Sequence, residues 1–111
     1  MAMTTALEQQ PDGVVLVVRG EIDVAVTSQL TDALREAIGE GGRRVVVDLE
    51  GVDFIDSAGL GVLVAGLKRA RTRGGDLALV ATGVSVTKVL EITGLHRIID
   101  VRETREAALA R

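Results

Sequence analysis

The stretch VVVDLEGVDFIDSAGLGVL, Val45 to Leu63, changes character at its middle. A β-branched apolar run reads as a buried strand. Asp56-Ser57 follows. Beyond it Leu60, Leu63, Val64, Leu67 and Ala70 keep the spacing of one helix face. A strand hands over to a helix at a carboxylate and a hydroxyl. Three roles suit that pair: a helix cap, a catalytic nucleophile, or a serine that another protein modifies.

The same two patterns alternate on either side. Upstream, Ala6 to Gln10 suggests a short strand, Pro11 to Gly13 a turn, and Val14 to Gly20 a strand covered on both faces. Val26, Leu30, Ala33, Leu34, Ala37 and Ile38 form a helical stripe, with Asp23 near its cap and Gly39 to Gly42 as its stop. Arg43 to Leu49 is then the strand that opens the quoted stretch. Downstream, Arg71 to Gly75 closes the second helix, and Asp76 to Ala81 is a further core strand. Val86, Val89 and Leu90 mark a helix that stops at Gly94. Arg97 to Val101 reads as a short strand and Glu103 to Arg111 as a terminal helix.

Such alternation predicts an α/β fold: a mixed, mainly parallel sheet joined by right-handed crossovers, with helices packed against it. The tight turn at Pro11 to Gly13 makes the first strand an antiparallel edge. Residues 1–111 form one domain on this reading, since two cores would each be very small. Function in such sheets gathers at the carboxyl ends of the parallel strands. Gly20 to Asp23 and Asp53 to Gly59 both project there, side by side if their strands are neighbours.

Composition removes whole classes of function. Phe54 is the only aromatic residue, which leaves no platform for stacking bases, and a net charge of −3 opposes a general phosphate-backbone footprint. No nucleic-acid partner is expected. The chain has no cysteine and one histidine, so thiol chemistry and multi-histidine metal sites are excluded. The N-terminus MAMTTALEQQ lacks a basic then apolar leader, and no apolar run reaches membrane-spanning length. A cytoplasmic protein without membrane contact is expected. Well-filled helical stripes and the lack of aromatics suggest a monomer.

Ser57 makes a poor nucleophile on this sequence. The run Phe54-Ile55-Asp56-Ser57-Ala58-Gly59 is not G-x-S-x-G, and His96 falls at the start of a strand, away from Ser57. Neither phosphate-loop pattern is present, and Asp56 would repel a phosphate. A metal held by Asp23, Asp53 and Asp56 is a minority option, because such acids more often cap helices. No cofactor is expected. On the residues alone Ser57 reads as the N-cap of the second helix, with Asp56 favouring the positive end of the dipole. That role is compatible with modification, since a helix N-terminus tolerates a phosphoserine.

Gly20 to Asp23 with Ser28 to Leu34, Val45 to Leu63, and Val89 to Leu95 together resemble the STAS domain of bacterial anti-sigma factor antagonists. The match keeps its order over most of the chain, and the D-S-x-G-L-G segment is its most specific part. The resemblance implies a regulator rather than an enzyme. In that family the serine after the aspartate, here Ser57, is phosphorylated by the anti-sigma factor, itself a serine kinase; a metal-dependent serine phosphatase reverses it. The unphosphorylated form binds the anti-sigma factor and frees a sigma factor. The implied partner-binding surface comprises Glu21, Asp23, Asp56, Ser57, Ala58, Gly59 and Leu60. Ala58 stands where many relatives carry a second small hydroxyl residue. The alternative on the same fold is an accessory STAS subunit of a transport or signalling complex, with Ser57 merely a cap.

Overall fold

The computed structural model describes residues 3–39 and 43–110. Its sheet contains β1 (Thr4–Gln10), β2 (Gly13–Ile22), β3 (Arg44–Ile55), β4 (Asp76–Val80) and β5 (Asp100–Arg102), lying side by side in that order. β1 pairs antiparallel with β2, and every later pair is parallel. The mixed sheet with an antiparallel edge strand is therefore present as read from the sequence.

Helices α1 (Thr27–Ile38), α2 (Ser57–Thr72) and α3 (Val84–Ile92) pack on one face of the sheet. Each turns its apolar stripe inward: Leu30, Leu34, Ala37 and Ile38 from α1, Leu60, Leu63, Leu67 and Ala70 from α2, Val86 and Leu90 from α3. These meet Val14, Leu16, Val18, Val45, Val47, Leu49, Leu77 and Leu79 of the sheet. Each fully buried Leu or Ile contributes roughly 1.5–3 kcal/mol. The single aromatic plays no part, since Phe54 is 49% exposed. α1 ends at Gly39, whose φ of 54° suits glycine and whose N–H donates to Arg35 O. Gly41 and Gly42, and Arg111 of the expected terminal helix, lie outside the described residues.

The other face carries a smaller core of Val15, Val17, Val46, Ala78 and Val80, covered by Ala108 and Leu109 of the five-residue helix α4 (Arg105–Leu109). So short a helix is marginal alone, and side chains fasten it. Arg44, 7% exposed, donates to Ala108 O and, at 2.8 Å, to Asp100. Arg105 donates to Asp48 at 2.7 Å and to Glu8 at 2.9 Å. The hydrogen bond that Arg105 donates to Asp48, together with the charges of Asp48 and Glu8, outweighs burial and raises the Arg105 pKa above its ordinary value.

Three strands outrun their sequence patterns, β1 by starting at Thr4 rather than Ala6. β3 was expected to stop at Leu49 but continues to Ile55. Its register against β2 slips twice, between Val17 and Arg19 and between Gly20 and Glu21, with an extra β3 residue each time. Such bulges break the alternation that marks a strand while leaving it paired. β2 extends correspondingly to Ile22. At the other edge of the sheet β5 spans Asp100–Arg102 rather than Arg97 to Val101: Arg97 belongs to a 3₁₀ turn (Leu95–Arg97), and Ile98 and Ile99 precede the strand.

Candidate functional site

The extended strands decide where the site lies. β2 and β3 are neighbours and their last paired residues are Ile22 and Ile55, so Asp23 and Asp56 leave the sheet at one level. The backbone ties the exits together directly, Asp56 N–H donating to Ile22 O at 3.1 Å.

Asp56 is the N-cap of α2. Its backbone is extended, with φ −102° and ψ −178°, and its Oδ1 accepts from Gly59 N at 2.9 Å. The other oxygen, Oδ2, accepts from Val24 N at 3.2 Å. One carboxylate thus caps the helix and holds the neighbouring loop. Ser57 is not the cap, contrary to the reading from residues alone. Asp and Ser are comparable caps, and backbone geometry gives the position to Asp56. Ser57 becomes the first helical residue, exposed, and among the described residues its hydroxyl has no hydrogen-bond partner. The hydroxyl is presented outward.

Asp23 makes a smaller local cap. It precedes a 3₁₀ turn (Val24–Val26), and its Oδ1 accepts from Ala25 N at 3.0 Å. Glu21 pairs in register with Phe54 and is half-buried. Ala58 is half-buried beside Ser57, whereas Gly59 and Leu60 lie beneath the surface. A Cβ at Gly59 would sit 2.5 Å from Ile22 Cγ2 and 3.0 Å from Ile55 Cγ1. Glycine is what lets the first turn of α2 press onto both strand ends. Gly59 and Leu60 therefore set the height of Ser57 by packing.

Asp23, Asp53 and Asp56 were the alternative metal set. Both oxygens of Asp56 accept from backbone N–H groups, and among the described residues no group of three or more acids, His or Cys is placed to hold a metal ion. His96 stands in the turn before β5, on the side where the parallel strands begin, whereas Ser57 follows the end of β3; its Nδ1 is 3.2 Å from Leu90 O. Nothing there can act as a base for Ser57.

The sequence reading missed Val24. It is 71% exposed, next to Asp23, and is held by Asp56. Its signal was present: in Glu21 to Val26 it is an apolar residue off the stripe that begins at Val26. Val84, 78% exposed where α3 begins, is a second such residue on the same strand-end side of the sheet.

A family model for the STAS domain matches residues 4–108. The chain belongs to the STAS domain family. Among its relatives, BtrV of Bordetella bronchiseptica, a candidate anti-sigma factor antagonist, is 38% identical over 100 residues, 89% of this chain and 86% of that one. The crystal structure of an anti-sigma factor antagonist from Mycobacterium paratuberculosis superposes with a TM-score of 0.88 at 28% identity, covering 97% of this chain and 92% of that one. The Bacillus anti-sigma factor antagonist SpoIIAA, in its unphosphorylated form, gives a TM-score of 0.77 at 25% identity, covering 96% of this chain and 93% of that one. The STAS frame thus agrees with the mixed five-stranded sheet and its packed helices. Among the described residues no helix is long and apolar enough to cross a membrane.

Proposed function

We propose that this STAS protein is an anti-sigma factor antagonist switched at Ser57. The unphosphorylated form binds an anti-sigma factor that is also a serine kinase, which frees a sigma factor for transcription. A phosphate on Ser57 ends that binding, and a metal-dependent serine phosphatase restores it. The protein works as a cytoplasmic monomer and is substrate and regulator rather than catalyst.

One observation carries the reading: the Ser57 hydroxyl projects from the first residue of α2, clear of the cap that Asp56 supplies. Modification can therefore change the surface without removing a bond that holds the fold. Relatives named as anti-sigma factor antagonists, one of them known in an unphosphorylated form, support the partner class. The contact surface on this reading comprises Glu21, Asp23, Ser57 and Ala58, with Val24 as an apolar anchor; Asp56 holds the two loops in place.

The energetics are sufficient. A hundredfold change in affinity requires about 2.7 kcal/mol. Two like charges roughly 6 Å apart at an effective dielectric near 20 repel by about 3 kcal/mol before salt screening. A dianion on Ser57, facing acidic groups of a partner in a water-poor interface, meets that requirement. The test is intact-mass measurement after incubation with ATP and candidate kinases from the same cell, with calorimetry on the Ser57 variants. Ser57→Ala should bind as wild type does and gain no phosphate. Ser57→Asp should bind about a hundredfold more weakly. Equal binding by the Asp variant, with no phosphate found on Ser57, would sink the switch.

A further inference from the structure

The far end of α2 carries a surface that the Ser57 site does not use. Ala65, Lys68, Arg69, Thr72 and Arg73 surround an open hollow of about 360 Å³. Their spacing, i, i+3, i+4, i+7 and i+8, is that of a single helix face, turned away from the buried Leu63, Leu67 and Ala70. Elsewhere in the chain Arg44, Arg71, Arg102 and Arg105 each meet a carboxylate. Lys68, Arg69 and Arg73 do not: among the described residues none has an acidic partner. Arg19, Arg35, Lys88 and Arg97 also lack an ion pair among the described residues. What distinguishes Lys68, Arg69 and Arg73 is that the three line one hollow in a chain of net charge −3.

Helix electrostatics account for only part of it. Cations in the last turn complement the dipole, and Arg69 and Arg71 fill that place, Arg71 also ion-paired to Asp76 at 3.3 Å. Lys68 lies before the last turn, and Arg73 beyond the helix. Ala65 and Thr72 between the cations are small, so another backbone could approach closely. Against the same face, Thr31, Leu34, Val62 and Gly66 border a narrow notch of about 20 Å³ between α1 and α2, enough for little more than a methyl group.

We propose that this face is a second docking site, and that its occupant is an acidic helix of a partner protein. Glutamates or aspartates at helical spacing on the partner would pair with Lys68, Arg69 and Arg73, and a flanking small apolar side chain would seat in the notch. A nucleic acid fits less well. Three cations would release few counterions, and the acidic remainder of the protein would repel a long polyanion. From Ser57 to Arg69 the helix rises about 18 Å, so both sites can be occupied at once. The inference goes beyond the reading at Ser57 and does not rest on it.

The experiment uses the full-length, ¹⁵N-labelled protein titrated with a 16-residue alanine-based helical peptide bearing glutamates on one face. Amide shifts should concentrate at residues 65–73, and affinity should fall at least tenfold in the double variant Lys68→Glu, Arg69→Glu. Arg73→Glu, which lies outside the helix, should weaken binding if the double variant proves misfolded by circular dichroism. Ser57→Asp should leave this binding intact whatever it does to an anti-sigma factor. Shifts absent from residues 65–73, undiminished binding by folded variants, or tighter binding of a dodecathymidylate or of phosphatidylglycerol vesicles than of the peptide would each overturn the proposal.

Discussion

Asp23 and Asp56 follow the ends of neighbouring parallel strands, at one level, with one aliphatic residue before each. Their work differs. Asp23 accepts from one N–H, two residues along its own loop. Asp56 accepts from two N–H groups, one in the first turn of α2 and one in the turn after β2, 3 and 32 residues away in the chain. The role of a surface carboxylate is set by the donors within its reach. Asp56 is a fastening for the corner, and Asp23 caps its own turn.

The corner should fail first where the packing is tightest. Gly59→Val would drive a branched side chain against Ile22 and Ile55, costing about 3 kcal/mol; urea unfolding measures it, and a loss below about 1 kcal/mol would show that α2 can lift away cheaply. Asp56→Ala comes next, at about 1–2 kcal/mol, because it removes a cap and a tie between loops. Hydrogen exchange should show the Val24 amide deprotected in this variant while amides of β3 stay protected. Asp23→Ala should cost about 0.5 kcal/mol, since a three-residue turn is all it caps. A loss equal to that of Asp56→Ala would erase the distinction between the two residues. Smallest of all, Ser57→Ala should change stability by less than about 0.5 kcal/mol, because the hydroxyl holds nothing. A larger loss would return Ser57 to a capping role.

The sheet was legible because its central strands are dense in β-branched and aliphatic residues. Val14 to Val18, Val45 to Leu49 and Leu77 to Ala81 could hardly be read as anything but buried strands. The end of β3 was not legible, since Glu50, Asp53 and Phe54 look like loop residues when bulges suspend the inward-outward alternation. At the site, residue types told where chemistry gathers but not the division of labour. Asp56 and Ser57 are adjacent and both cap well; only the extended backbone of one and the helical backbone of the other separates fastening from display. Gly59 drew notice as part of a motif, and its reason lies in the Ile22 side chain, 37 positions earlier, which no local pattern reveals.

The order of strands across the sheet is the order of strands along the chain. Each strand emerging from a ribosome finds its only earlier neighbour already made, so the sheet can grow by addition at one edge, without waiting for distant segments. Such local assembly shortens the search that slows β-rich topologies. The longest departure from it is Arg105, which reaches Glu8 across 97 residues, together with Asp48. That clasp can close only once α4 itself has been made, and until then Val15, Val17, Val46, Ala78 and Val80 lack their cover. The nascent protein is thus most exposed to aggregation in the interval between finishing its sheet and fastening α4.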